Sequence, residues 1–168
     1  MVLLCVFRQS ALASFSSRGP GVDIPGVARQ QPYIDGPGVS VVSSYAGSDT
    51  QCGNFPLTTP LFGKLGKCCL LTSCAWSGRY ASASGTSMSC PHVSGYLAIL
   101  LGTVPELSIE QVEAIMSDHS ERTLPPPAGS VTECEGVPYT ATPNFFYGWG
   151  SIRVCQALDS LGFSCDHK

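Results

Sequence analysis

The chain has 168 residues and a mass of 17.7 kDa, the size of one domain, and its 9 Lys and Arg against 12 Asp and Glu leave a net charge of -3. Charged residues make up only 12%, about half the ~25% of an average soluble domain; with no basic run to neutralise phosphates, this argues against disorder and against a nucleic-acid surface. The 18 glycines and 13 prolines have no period, which predicts a loop-rich fold and excludes a fibre.

Met1 to Phe7 is apolar, but no Lys or Arg precedes it and Arg8 ends it short of a signal peptide's hydrophobic region, so no secretion signal is read. The longest later apolar run, Tyr96 to Leu101, falls far below the ~20 residues of a membrane span. Ala11 to Ser16 predicts a short buried strand ended by Ser17-Arg18-Gly19-Pro20, and Val39 to Tyr45 a second strand after Gly36-Pro37-Gly38. Between Gly47 and Arg79 no period is visible. From Thr86 onward Val93, Tyr96, Leu97, Ile99, Leu100 and Leu101 are apolar on nearly every side of a helix, which predicts a core helix. It is expected to open at Ser87, with Thr86 non-helical, to run to about Leu101 and to stop at Gly102 and Pro105. Ser108 with Gln111 forms a capping box for a second helix, whose face of Ile109, Val112, Ile115 and Met116 is expected to pack on the first, with His119 near its end. Pro125-Pro126-Pro127 opens a loop to about Thr142. Tyr147-Gly148-Trp149-Gly150 makes a tight turn into a last helix, with Val154, Ala157, Leu158 and Leu161 inward and Gly162 as its stop.

Nine cysteines are many for a cytosolic chain and suit disulfides in an oxidising compartment, the odd count leaving at least one unpaired. Cys68, Cys69 and Cys74 lack the paired CxxC-like spacing of a zinc site, so no metal or other cofactor is expected. Cys90, in the first turn of a core helix, is expected to be a buried free thiol, leaving the surface-loop cysteines to pair.

Ser84-Gly85-Thr86-Ser87-Met88-Ser89-Cys90-Pro91-His92-Val93-Ser94-Gly95 places a serine between a glycine turn and the first turn of a buried helix. A helix N-terminus presents unpaired N–H groups and a positive dipole end, which would hold the oxyanion of a tetrahedral intermediate formed on Ser87. Gly85 would permit an approach that a Cβ obstructs. Taken alone, such a serine reads as an ordinary helix cap, common at helix starts, rather than as a nucleophile. The GxSxG hydrolase pattern fails, because Ser89 stands where its second glycine belongs.

Gly85 to His92 resembles the nucleophile motif of the subtilisin-like serine proteases, GTSM followed by PH. Ala13-Ser14-Phe15-Ser16-Ser17-Arg18-Gly19-Pro20 is similar to that family's ASFSSRGP strand and turn, Pro37-Gly38-Val39 to its APGV segment with Gly36 in place of Ala, and Tyr147 to Gly150 to its closing YGxG turn. The resemblance implies that Ser87 is the nucleophile and that its own N–H is an oxyanion donor, with Gly85, Thr86, Met88, Pro91 and His92 as the supporting motif. His92, five residues from Ser87 on the same helix, is structural by this resemblance. The family's base and orienting aspartate lie in HGT and DTG or DSG segments. Neither occurs here, and Asp35-Gly36-Pro37 is no substitute. Its side-chain oxyanion donor is an asparagine before the FSSRGP strand, whereas Asn54 and Asn144 both follow that strand; Asn54 is read as a solvated loop residue.

The expectation is therefore an α/β fold, the C-terminal part of a subtilisin-like parallel-sheet domain with the nucleophile at the N-terminus of a buried helix. It would cover residues 11–162, with an unplaced Cys-rich insertion at about 47–79 and a tail at 163–168. The implied activity is endopeptidic hydrolysis of protein or peptide substrates through an acyl-enzyme on Ser87, in the secretory pathway or outside the cell for the intact enzyme. No nucleic acid or membrane partner is expected, and the missing N-terminal part of the catalytic domain is the expected polypeptide partner. Two alternatives stand beside it: an inactive or truncated fragment with a binding or regulatory role, and a gene-model fragment in which Met1 is an internal start and Lys64 to Arg79 is sequence that should have been removed.

Overall fold

The computed structural model describes residues 5–8, 11–20, 31–44, 80–127 and 131–165. The expected strand at 11–16 is only Ala11–Leu12 (β2), because the chain turns at once and the Ser16 N–H closes onto the Ala13 carbonyl at 2.9 Å. It hydrogen-bonds antiparallel to an element that the sequence reading did not assign, β1, Cys5–Arg8. On its other side β1 pairs in parallel with β3, Asp35–Pro37, with Cys5 opposite Asp35 and Phe7 opposite Pro37. Asp35 also bridges Ser151 in parallel, and Ser151 bridges Glu121 antiparallel, so the sheet continues into residues far along the chain.

The expected strand at 39–45 is shorter, β4, Val41–Ser44, since Ser40 takes a left-handed conformation (φ 54°) that interrupts extended backbone; Tyr45 lies outside the described residues. β4 pairs antiparallel with β5, Tyr80–Ala83. The unplaced stretch at 47–79, with Cys52, Asn54, Cys68, Cys69 and Cys74, lies outside the described residues.

Helix α1 runs from Thr86 to Thr103. Gly102 lies within it and does not stop it; the last bond is from the Val104 N–H to the Leu100 carbonyl at 2.9 Å. The expectation of burial on nearly every side is corrected. Ser89, Val93, Tyr96 and Leu100, spaced four, three and four apart, form the one buried stripe, while Ile99 and Leu101 remain 45% and 42% exposed. Among the described residues, the β1–β3 sheet and two short helices pack along one side of this 18-residue helix.

Helix α2, Ile109–Asp118, carries both halves of the expected capping box: the Ser108 N–H donates to Gln111 Oε1 at 2.8 Å and the Gln111 N–H to Ser108 Oγ at 3.3 Å. Val112 and Met116 are buried and Ile115 packs beside them. Ile109, expected inward, is 68% exposed, while Leu107 just before the helix packs against the core. Helix α3, Val154–Ser160, buries Ala157 and packs Val154, Leu158 and Leu161 against the same core, and Gly162 follows it with φ 85°. The core is Ile34 from the run into β3, Val93, Tyr96 and Leu100 from α1, Val112 and Met116 from α2, and Ala157 from α3.

The loop expected at 125–142 contains a small hairpin, β6, Glu133–Cys134, and β7, Val137–Pro138. Its two-residue link, Glu135-Gly136, has positive φ at both positions (49° and 75°), which matches the twist of the flanking strands. Nearby, Leu12, Phe146 and Tyr147 form a second buried cluster, with the Arg18 guanidinium 5.0 Å above the Phe146 ring. Asn144 holds the 144–150 turn: its Oδ1 accepts from the Phe146 and Tyr147 N–H groups, and its Nδ2 donates to the Tyr139 and Ala141 carbonyls, all at 2.8 Å. Gly148 (φ 62°) lies so close to the Pro32 and Tyr33 carbonyls that a Cβ has no room, and Gly150 (φ 134°) is equally close to the Glu121 carbonyl.

Candidate active site

The turn from β5 into α1 brings Ser87 to the surface. Gly85 is the N-cap residue of α1, and its carbonyl accepts from the Met88 and Ser89 N–H groups at 3.0 and 3.3 Å. Thr86 is therefore already helical and Ser87 is the second helical residue, a shift of one from the expected start. The Thr86 and Ser87 N–H groups have no acceptor earlier in the helix and face off its positive end. Ser87 is exposed, and among the described residues no side chain hydrogen-bonds its hydroxyl. Pro91 has no N–H to give the Ser87 carbonyl, so the helix ladder is open there too.

Three hydrogen bonds of 2.8 Å fasten this turn and the start of α1 to β3 and the segment that follows it. The Gly85 N–H donates to the Gly38 carbonyl, the Ser40 N–H to Ser84 Oγ, and the buried Ser89 hydroxyl to the Gly36 carbonyl. Gly36 and Ser89 lie close enough that a Cβ on Gly36 would stand 3.1 Å from Ser89 Oγ. A Cβ on Gly85 would meet nothing closer than Met88 Sδ at 3.6 Å, but the φ of 159° there is a conformation that residues with a side chain rarely adopt, so the position favours glycine through its backbone.

His92 is exposed and its Nδ1–H donates to the Met88 carbonyl at 2.8 Å. Five residues along a helix is roughly 7.5 Å of rise and about 140° of rotation, so its ring does not face Ser87. His119 caps the C-terminus of α2, and His167 lies outside the described residues. Cys90 is a free thiol as expected but is exposed, not buried, because Ser89 takes the inward position of this turn. Cys155 pairs with Cys165 across a Cα–Cα distance of 5.3 Å, tying the start of the tail to α3. Cys134 is also free, its Sγ–H donating to the Gly19 carbonyl at 3.0 Å. Among the described residues, no three His, Cys, Asp or Glu side chains gather as a metal ion would require.

Asp35, in the strand beside the clamp, carries the one strongly displaced carboxyl among the described residues. It is fully buried, neither carboxyl oxygen has a hydrogen-bond partner, and burial raises its pKa well above the ordinary aspartate value. The adjacent Gly36 N–H favours the charged form but does not reach hydrogen-bond geometry.

Residues 6–150 match the model of the Subtilase family. The chain belongs to the subtilase family. It is 30% identical to the subtilisin-like protease SBT5.3 of Arabidopsis thaliana, covering 92% of this chain and 18% of that protein. It is 35% identical to SBT4.7 of the same plant over 91% of this chain and 18% of the relative. The minor extracellular protease Vpr of Bacillus subtilis is 30% identical, with 89% of this chain and 14% of Vpr aligned. Among solved structures, fervidolysin from Fervidobacterium pennivorans, described as a keratinolytic enzyme related to subtilisin, superposes with a TM-score of 0.52 at 20% identity, covering 93% of this chain and 18% of that one. The shared fold is thus that of a subtilase domain portion, α/β with α1 packed on the β1–β3 sheet. This subtilase chain spans less than a fifth of the length of these relatives.

Proposed function

We propose that the chain is the nucleophile-bearing, C-terminal part of a subtilisin-like serine endopeptidase domain at residues 11–162, with Ser87 as nucleophile, an insertion at about 47–79 and a tail at 163–168. The observation that carries this reading is the exposed Ser87 hydroxyl at the N-terminal turn of α1, beside N–H groups with no helical acceptor. In the assembled enzyme Ser87 Oγ attacks a peptide carbonyl, its proton passing to a histidine oriented by an aspartate, and the Ser87 N–H receives the oxyanion. The leaving amine takes that proton, an acyl-enzyme remains on Ser87, and water releases it. Gly85, Thr86, Met88, Pro91 and His92 shape the turn and take no part in the bond changes. The histidine and aspartate come from sequence outside these 168 residues, on the N-terminal part of a catalytic domain, which makes that part the polypeptide partner. The substrate is protein or peptide. A secreted or extracellular setting is supported by the Cys155–Cys165 disulfide and by the extracellular relative.

A second reading, a scaffold that has kept the fold and lost the chemistry, is favoured by the lack of any described histidine within reach of Ser87. Both readings give the isolated chain no peptidase activity above background, since a serine hydroxyl without a base is a weak nucleophile and loss of such a base costs on the order of 10⁶ in turnover. Casein hydrolysis by the purified chain and its Ser87→Ala variant, each alone and after addition of a separately expressed N-terminal subtilase portion, tests the proposal. Activity that appears on mixing and vanishes with Ser87→Ala is the expected outcome. No activity on mixing, with binding intact, favours the second reading, and activity from the lone chain that Ser87→Ala abolishes would show a base within these residues.

A further inference from the structure

Asp35 sits at the centre of the sheet. Its backbone is held on both sides: Cys5 of β1 is its register partner on one, and on the other its N–H donates to the Gly150 carbonyl at 2.8 Å while its carbonyl accepts from the Ile152 N–H at 3.0 Å. Its neighbours Ile34 and Gly36 face α1, Ile34 within the core cluster and Gly36 against Ser89 and Val93. Strand alternation therefore sends the Asp35 side chain to the opposite face. There it has no exposed surface, and neither oxygen accepts a hydrogen bond.

Among the residues whose side chains are described, none pairs with a charge on it. β1 carries Cys5 and Arg8 as its titratable residues. At the 151 bridge Glu121 and Arg153 pair with each other at 2.7 Å. On α1, Cys90 and His92 are exposed, and Tyr96 packs on the other face of the strand with Ile34. A buried carboxylate without partners is far costlier than the neutral acid. The next residues of the same segment, Gly36 and Gly38, supply the two carbonyls that hold Ser89 and Gly85.

We propose that Asp35 is a proton-operated latch on the Ser87 turn: neutral, it lets β3 lie sealed in the sheet with the Gly36 and Gly38 carbonyls presented to α1; ionised, it draws β3 toward water and releases them. The consequence for catalysis rests on the reading of Ser87 as nucleophile, whereas the latch does not.

The direction with pH follows from linkage. The unfolded chain loses the Asp35 proton at the ordinary aspartate pH and the folded chain only above it, so the fold binds the extra proton in between. Stability is present in full below the ordinary aspartate pKa, declines as pH rises above it, and is lost once pH has passed the raised folded-state pKa.

The test is thermal unfolding of the full 168-residue chain and its Asp35→Asn, Asp35→Val and Ser87→Ala variants from pH 4.5 to 8.5. It is paired with amide exchange of the segment containing Gly85, corrected for intrinsic rates. The expected result is a wild-type midpoint that falls with rising pH, a slope absent from both Asp35 variants, and variant midpoints at pH 8 higher than wild type by at least about 4 °C. Protection at Gly85 falls with pH in the wild type and stays constant in Asp35→Asn. Ser87→Ala keeps the wild-type slope, so failure of the nucleophile reading and failure of the latch are told apart. The proposal is overturned by an unchanged slope in both Asp35 variants, by variant midpoints below wild type at pH 8, or by the lack of a cooperative transition in every chain at every pH.

Discussion

The Ser89 hydroxyl is where the nucleophile turn and the sheet meet most closely, donating to the Gly36 carbonyl from a fully buried position. Ser89→Ala removes the donor and leaves a carbonyl short of a partner, which is expected to cost about 1 kcal/mol of stability. Gly36→Ala inserts a methyl group 3.1 Å from Ser89 Oγ and is expected to be destabilising as well. Because the two side chains occupy one space, the double variant should be more stable than the sum of the single effects predicts, by at least about 0.5 kcal/mol. Urea unfolding of the four chains measures that coupling, and strict additivity would contradict the packing described.

At the scale of the element, α1 carries no acidic residue in its first turn and no basic residue in its last, so burial of one stripe holds it in place. Cys90 lies outside that stripe. It is expected to react with iodoacetamide in the folded chain at a rate close to that of a free thiol, and at least about tenfold faster than Cys134, whose Sγ–H is engaged by Gly19 and half-buried. Timed alkylation followed by peptide mass spectrometry checks this, and equal rates at the two sites would place Cys90 inside the core after all.

Across the molecule, Tyr147 joins segments that lie far apart in sequence. Its hydroxyl accepts from the Leu12 N–H at 3.1 Å, 135 residues away, and donates to the Pro125 carbonyl at 2.7 Å. Tyr147→Phe keeps the ring in the Leu12–Phe146 cluster but leaves a buried N–H and a carbonyl unpaired, at an expected cost of about 1–3 kcal/mol. Calorimetry should show the loss as a lowered midpoint. Amide exchange should show it concentrated at residues 11–20 and 121–127, with α2 unaffected because the other core supports it.

Some of this protein was legible in the residues themselves because the signals are local. Ser108 and Gln111 specify the start of α2 within four residues, Gly162 marks the end of α3 through its own left-handed backbone, and the glycine turn before Ser87 places that serine at a helix start to within one residue. Tertiary structure decided the rest, because burial depends on which neighbours arrive. The hydrophobic pattern of α1 has no single outward side, so the exposure of Cys90 and Leu101 followed only from the sheet covering the Val93 side. The clamp on the Ser87 turn was invisible because its acceptors at Gly36 and Gly38 are backbone carbonyls, which every sequence position has, brought some 50 residues back along the chain. β1 and β3 are too short for a period to reveal, and their parallel pairing is set by the segments packed around them. The sequence showed only that Asp35-Gly36-Pro37 does not match the family's aspartate motif, and the strands on either side are what make Asp35 a sealed acid without a hydrogen-bond partner.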